Sequence, residues 1–443
     1  SSSSSSSSST CTPIYLRREL LVRSLEGARV DLLTITSNKG RSTEREALPL
    51  SAWRPGMSAK HVGVLFPDRT EPRPYRFPRK RVIFLSGRVH PGESPGSHVL
   101  NGLIQFLSDD TDPRAALLRD KFVFKIVPML NPDGVRRGNF RCDSRGVNLN
   151  RMYLNPSQEL HPTIFALKEV VRACSLHKLV DPNVALGASS KKRTGGGKGS
   201  RKFVSKGGRK KAADGDASGG CSAPHFFGTA DRALVGFIDF HSMSMRPGTY
   251  SMANGSSTAT GKKGHLMDSL NHVFAKLCEV CSPHFNYTAC TFGGGGGRRK
   301  KRRKASSSTL SSFGSGGGDA ESTLAVDLQA ALLAHNKGAH RKEDAEAVAD
   351  WRRIKEDAGR GNAEGNKGGA GRVCIAKEFG IVHAYTIEAS CNVSQASAGH
   401  IAKGSYYNLG NLGSLCYLPN HHGEVGKAIG LALLEMDGVR DPS

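Results

Sequence analysis

RVIFLSGRVHPGE, residues 81–93, joins a short β-rich run to a Pro-Gly turn that carries a histidine and a glutamate. The apolar run FVFKIVPM at 122–129 suits a strand buried on both faces, and LVGFIDF at 234–240 predicts the next strand. Helical spacing of apolar residues predicts helices at 97–107, 163–180, 265–281 and 423–436. Strands that alternate with helices predict an α/β fold, with a mixed, largely parallel central sheet flanked by helices on both faces.

The composition predicts one large domain interrupted by solvated insertions. Of 443 residues, 52 are glycine and 37% are hydrophobic, which is low for a fully packed protein of this length. Residues 1–13 predict a disordered poly-Ser tail. We expect residues 14–80 to be a remnant or linker ahead of the main domain. Within them, the pattern at 14–36 predicts a helix that ends at Gly27, followed by a strand. The main domain is expected at 81–436, with disordered low-complexity insertions at 187–220 and 293–370, the second containing an Ala-rich helix at 323–357.

Both insertions are strongly basic. The net charge is +24, and ten Lys or Arg residues fall within 187–220, while Arg298 to Lys304 is an unbroken run of seven. Such patches attract nucleic acid, anionic lipid or acidic polypeptide tails, and they also resemble nuclear import signals. Neither run interleaves aromatic residues for base stacking, so any nucleic-acid contact is expected to be nonspecific.

The sequence contains no apolar run long enough for a membrane span, so we expect no membrane partner. The poly-Ser start lacks the basic and apolar regions of a secretory signal, which favours an intracellular protein with reduced thiols. Cys278 and Cys281 form a single CxxC in a helical stretch. Because a second pair at suitable spacing is missing, we interpret them as ordinary helix cysteines rather than a structural zinc site.

Three residues that follow predicted strands could hold a metal ion. His90 and Glu93 lie three apart in the Pro-Gly turn, and His241 comes directly after the strand at 234–240. Ligands gather at the carboxyl ends of strands in open α/β sheets, and two histidines with one glutamate leave a fourth zinc position open for catalysis. The alternative is that His90 and Glu93 are surface loop residues, which is the better interpretation of an isolated HxxE.

The companion motifs decide between these interpretations. Asn131-Pro-Asp-Gly, Asn139-Phe-Arg, Gly146-Val-Asn-Leu-Asn-Arg, His241-Ser and Tyr385-Thr-Ile-Glu follow the HPGE turn in that order. In this order the chain resembles the M14 zinc metallocarboxypeptidases. Within that family, the closest resemblance is to the cytosolic carboxypeptidases, which trim glutamates from tubulin and other acidic tails. The segments that carry this resemblance are RVHPGE, PMLNPDGV, RGVNLNR and YTIE. The segment RREL…SLEGARVDLLTITS resembles their branch-point deglutamylase type, and the resemblance covers residues 14–185, 234–292 and 371–436.

The resemblance implies a role for each matching residue. It implies one Zn²⁺ per chain on His90, Glu93 and His241, with Glu388 as general base and then acid. It also implies that Arg141 stabilises the developing oxyanion, where a fixed charge contributes most.

Substrate recognition is implied for a second group of residues. Asn150 and Arg151 would hold the terminal carboxylate, with the arginine acting through a two-pronged contact. Arg372 is the family's candidate for the cation that binds the glutamate side chain, and Lys377 is its rival. Either could instead be an ordinary exposed charge.

Three features depart from the family pattern. Asn148 stands where secreted relatives have an aspartate that orients a zinc-bound histidine, and we expect the neutral amide to accept the same bond more weakly. Ser-Met-Ser-Met at 242–245 replaces the His-Gly-His pattern of the cytosolic group. Only 89 residues precede His90, so the β-sandwich domain of the cytosolic enzymes is expected to be absent or mostly truncated.

The sequence therefore predicts a monomeric zinc carboxypeptidase that removes C-terminal or branch-point glutamates from acidic protein tails such as tubulin. We expect it in the cytoplasm, with a nuclear fraction as a second expectation from the basic runs. The alternative function is an inactive or weakly active protein that binds acidic tails or nucleic acid through its basic insertions.

Overall fold

The computed structural model describes residues 13–49, 64–177, 179, 232–243, 246–255, 262–293, 367–391, 393–394 and 417–438. Residues 1–12 of the predicted tail, the first basic insertion and residues 294–366 of the second lie outside the described residues, as does the helix predicted at 323–357.

An eight-stranded mixed sheet runs through the centre of the described chain, in the order β1-β2-β4-β3-β5-β8-β6-β7. Its strands are β1 (Ile14–Arg23), β2 (Arg29–Ser37), β3 (Arg81–Gly87), β4 (Phe122–Val127), β5 (Leu234–Ser242), β6 (Thr249–Ala253), β7 (Thr291–Phe292) and β8 (His383–Ala389). The four middle strands β4, β3, β5 and β8 are parallel to one another. β2 pairs antiparallel with β4, β1 with β2 and β6 with β8.

Helices cover both faces of the sheet. They are α1 (Ser94–Leu107), α2 (Pro113–Lys121), α3 (Pro132–Arg137), α4 (Pro162–Leu176), α5 (Lys262–Cys281), α6 (Gly371–Phe379) and α7 (Pro419–Met436). The alternation of side chains along β3 divides the core into two clusters. Ile83 and Leu85 pack in the cluster that includes residues of α1, α2, α5 and α7, while Val82 and Phe84 pack with residues of α4 and α6. The predicted α/β fold with a mixed sheet covered on both faces is confirmed.

The prediction of a helix within residues 14–36 is wrong, because this segment forms the β1–β2 hairpin. Gly27 adopts a φ of +78° in the turn between the two strands instead of ending a helix. Leu, Arg and Glu favour helices locally, but pairing with β2 and burial of Leu21 and Val22 outweigh that preference. Since β2 also pairs with β4, residues 14–37 belong to the central sheet and are not a segment ahead of the domain.

The described cysteines are free thiols, and Cys278 and Cys281 lie in α5 as ordinary helix residues. No helix of the described chain has the length and apolar character needed to cross a bilayer.

Candidate metal and catalytic site

The carboxyl ends of β3, β5 and β8 meet at one edge of the sheet. β3 ends at Gly87, three residues before His90, and Gly87 pairs with Phe240 of β5. On the other side of β5, His241 pairs with Glu388 of β8. Paired residues of adjacent strands lie about 5 Å apart and project to the same face. His241 and Glu388 therefore project side by side from the sheet edge that the turn after β3 also reaches.

A tight turn brings His90 and Glu93 together before α1 begins. Arg88 adopts a left-handed backbone with a φ of +56°, and its Nε donates to the Pro91 carbonyl at 2.6 Å. The Glu93 N–H donates to the His90 carbonyl at 3.3 Å, which closes the turn. The Gly92 N–H is held by the carbonyl of Phe140 at 2.8 Å, so the turn is anchored to the loop that carries Arg141.

His90, Glu93 and His241 form a compact buried cluster. Ligand atoms of the three residues all lie within 4.8 Å of one another. His90 Nδ1 is 2.7 Å from Glu93 Oε1, and His241 Nδ1 is 2.8 Å from Glu93 Oε2. Burial raises the pKa of Glu93, but the charge of His241 and hydrogen bonds from both histidines outweigh it and hold that pKa well below its usual range. The glutamate is thus ionised, as a metal ligand must be.

The opposite nitrogen of each imidazole has its own fixed acceptor. His90 Nε2 lies 3.2 Å from Asn148 Oδ1, and His241 Nε2 lies 2.8 Å from Asp239 Oδ2. With a metal bound, donation through Nε2 would leave Nδ1 of each ring as the ligand atom in place of its hydrogen bond to Glu93, and this is the usual arrangement around protein-bound zinc. Two imidazole nitrogens and a carboxylate that all face one point are a donor set that fits Zn²⁺.

Asn148 accepts the bond expected of an aspartate at its position. Its Oδ1 also receives the N–H of Asn150 at 3.1 Å, so the amide is held in one orientation. The neutral side chain can therefore orient His90 without contributing a charge.

Asp239 is a functional candidate that the sequence reasoning missed. It is 1% exposed, and its second oxygen accepts the hydroxyl of Ser86 at 2.7 Å. The available signal was a carboxylate inside an otherwise apolar strand, two residues before His241 and therefore on the same face of β5. Because Asp239 is fixed by Ser86, it fixes His241 in turn.

Glu388 is buried next to the cluster and has an unusual acidity. Burial raises its pKa to about 7, while the charge of His241 opposes that shift. Tyr250 of β6 pairs with Glu388 from the other side. A carboxyl group that titrates close to neutral pH can both accept and donate a proton under physiological conditions.

Arg141, Asn150 and Arg151 surround the cluster. Arg141 is about half exposed, with Nη1 3.9 Å from Glu93 Oε1. Asn150 Nδ2 lies 3.5 Å from His241 Nε2, and its carbonyl accepts Arg151 Nη1 at 2.9 Å. Burial and then the charge of Arg141 lower the pKa of Arg151, which indicates that the two guanidinium groups interact. Arg141 is thus next to Glu93, Asn150 is next to His241, and Arg151 is bonded to Asn150.

The two rival cations of α6 have different environments. Arg372 is 9% exposed, and its Nη1 donates to Asn254 Oδ1 at 2.5 Å, while Nε has no hydrogen-bond partner among the described residues. Burial lowers its pKa to about 10, and the nearby charge of Glu388 opposes this. Lys377 is exposed on the same helix. The geometry therefore favours Arg372 as the cation next to Glu388.

The first turn of α1 packs directly on β5 at His241. A Cβ atom built on Gly96 would lie 2.7 Å from the His241 carbonyl oxygen and 3.0 Å from the His241 nitrogen. Glycine is needed at this position because both contacts are with backbone, which cannot rotate away. The close approach sets the spacing between Glu93, just before α1, and His241.

Comparison with known families agrees with this arrangement. Residues 10–169 match the family model for zinc carboxypeptidase, Peptidase_M14. Over those residues the chain is similar to the M14 zinc carboxypeptidases. The matched range includes His90, Glu93 and Arg141, and it implies zinc as the metal. His241 and Glu388 come after the matched range, and the sheet register brings them to the same place.

Curated relatives narrow the resemblance to one subfamily. The cytosolic carboxypeptidase-like protein 5 of Homo sapiens is 52% identical over 170 residues, which cover 38% of this chain and 18% of that protein. The protein of the same name from Danio rerio is 49% identical over 178 residues, 40% of this chain and 19% of that protein. The chain thus matches less than a fifth of the length of these relatives.

A solved metallo-carboxypeptidase from Burkholderia cenocepacia aligns with 95% of this chain and 64% of its own, at a TM-score of 0.47 and 15% identity.

Proposed function

We propose that this chain is a zinc-dependent metallocarboxypeptidase that removes C-terminal or branch-point glutamates from acidic protein tails such as those of tubulin. The observation that carries the proposal is the buried His90–Glu93–His241 cluster with Glu388 at the neighbouring strand position. The names of the curated relatives support the cytosolic carboxypeptidase class and a cytoplasmic location.

One zinc ion would be held by His90, Glu93 and His241, and it would polarise the scissile carbonyl and lower the pKa of the attacking water. Glu388 accepts the proton of that water and passes it to the leaving amine. A pKa of about 7 suits a group that must act first as base and then as acid.

The surrounding side chains orient the substrate. Arg141 stabilises the oxygen on which negative charge develops, and its position 3.9 Å from Glu93 supports this role. Asn150 and Arg151 bind the terminal carboxylate, which restricts the enzyme to chain ends. Arg372 binds the side-chain carboxylate of the glutamate to be removed, because a buried guanidinium with an unsatisfied Nε is complementary to an anion.

A release assay tests the proposal. The purified protein is incubated with peptides that end in α-linked or γ-branched glutamate, with and without a zinc chelator, and free glutamate is measured. We expect chelator-sensitive release, and release from the γ-branched peptide alone would assign the branch-point specificity.

Glu388→Gln is the matched control, because it preserves the size of the side chain and should retain zinc but lose turnover. Release that persists in this variant would remove Glu388 as the base. No release by the wild-type protein from either peptide, together with tight and salt-sensitive binding of RNA or DNA, would favour the alternative binding function.

A further inference from the structure

Arg246 is a cation near the proposed catalytic site that has no role so far. It lies between β5 and β6, and its side chain is exposed. Its Nη1 donates to the Ala289 carbonyl at 2.5 Å, and its guanidinium carbon lies 5.4 Å from the centre of the Tyr250 ring. Ala289 is the acceptor that the described residues supply, so a guanidinium with five N–H donors retains several for an external anion.

Tyr250 connects Arg246 with the catalytic edge of the sheet. Tyr250 is fully buried, pairs with Glu388 across β6 and β8, and donates its hydroxyl to Met243 Sδ at 2.9 Å. The charges of Glu388 and Arg246 both act on the Tyr250 hydroxyl. One buried side chain therefore separates Arg246 from the proposed general base.

The number of carboxylates on the substrate indicates what Arg246 binds. A C-terminal glutamate carries two, of which one is assigned to Asn150 and Arg151 and the other to Arg372. Asn150 is directly connected to the helix that carries Arg372, since the Gly371 N–H at the start of α6 donates to Asn150 Oδ1 at 3.0 Å. Arg246 is attached instead to the turn at Tyr287–Ala289. It can be satisfied by a third carboxylate, which only a second acidic residue supplies.

We infer that Arg246 binds the side-chain carboxylate of the residue that precedes an α-linked scissile bond, so that among linear tails the site prefers those that end in two consecutive acidic residues. The inference rests on the proposed function and extends it from the removed glutamate to its neighbour. Arg246 is a specificity-determining residue in this scheme and takes no part in proton transfer.

Binding and turnover of matched peptides test the inference. Peptides that end in Glu-Glu, Gln-Glu and Ala-Glu differ only at the position before the scissile bond. Arg246→Ala should lower kcat/KM for the Glu-Glu peptide roughly tenfold, the effect of losing one hydrogen bond to a charged group, and leave the Gln-Glu and Ala-Glu values within about twofold. Arg246→Gln keeps a donor for the Ala289 carbonyl and should show the same selective loss if the lost interaction is with substrate.

Arg136→Ala is the matched control for net charge, because Arg136 is an exposed cation paired with Glu26 away from the site. It should affect all three peptides equally. An equal loss on all three peptides in both Arg246 variants would reduce Arg246 to an anchor of the 287–289 turn, and no loss on any would exclude substrate contact.

Equilibrium binding of peptides tests the role of Arg246 independently of the proposed reaction. In a Glu388→Gln background, which cannot turn over, the Glu-Glu peptide should bind about tenfold more tightly than the Ala-Glu peptide, and Arg246→Ala should abolish that preference. A wild-type protein that releases no glutamate would refute the proposed reaction, whereas equal binding of the two peptides would refute the role of Arg246.

Discussion

Replacing Gly96 by alanine should reduce both the stability of the protein and its affinity for zinc. The new methyl group would lie 2.7 Å from the His241 carbonyl oxygen and 3.0 Å from the His241 backbone nitrogen, while ordinary contacts begin at 3.4 Å. α1 and β5 must therefore separate by several tenths of an ångström. Since both partners are backbone, no side-chain rotation can relieve the contact.

The expected magnitude comes from two opposing effects. Overpacking of this kind costs about 1–3 kcal/mol. Alanine in place of a helical glycine contributes up to ~1 kcal/mol of stability, and less in the first turn. The net loss is therefore about 1–2 kcal/mol. Zinc affinity should fall at least about tenfold, because a metal site tolerates displacements of only ~0.2 Å in its ligands.

Gly423→Ala is the matched control in α7. Its nearest neighbour would be the Gly102 Cα at 3.9 Å, so the methyl group fits and helix propensity alone should stabilise the protein. Urea unfolding and chelator competition measure the two quantities in wild type and both variants. If Gly96→Ala is as stable as Gly423→Ala and binds zinc as well as wild type, α1 does not set the position of His241.

Asp239→Asn should weaken zinc binding about 10–100-fold in chelator competition, because it removes the charge that fixes His241, and Ser86→Ala should weaken it less. In the metal-free protein, the pKa of Glu388 is about 7 in place of 4.5, so the neutral side chain favours the folded state. That contribution is complete below about pH 4.5 and is lost as the pH rises through about 7, so the urea stability of wild type relative to Glu388→Gln should fall by roughly 3 kcal/mol across this window. Parallel pH curves for the two proteins would contradict this. Zinc at about a hundredfold excess over its Kd should stabilise the protein by ~2.7 kcal/mol, seen as a rise in Tm. Glu93→Ala should lose most of that rise, and a full rise in this variant would place the ion elsewhere.

Local patterns in the sequence predicted most of the described architecture. The largely apolar runs at 122–129 and 234–240 predict the strands β4 and β5, and the helices α1, α4, α5 and α7 follow from apolar residues at helical spacing. The local pattern did not predict β1, because its Leu, Arg and Glu residues favour a helix when the pairing with β2 is not considered. Strand pairing is a contact between segments, so a local pattern cannot contain it.

The ordered motifs by themselves determined which residues are the candidate metal ligands and the candidate base, since each motif carries its own chemistry and the order is specific to one family. Only the tertiary structure showed that Arg372 is buried while Lys377 is exposed, that Asp239 contacts His241, and that Arg246 lies against the Tyr250 ring. The reason is that each of these depends on burial or on a distance across neighbouring strands. Such quantities are set by the register of β5, β6 and β8, whose residues are far apart in the chain.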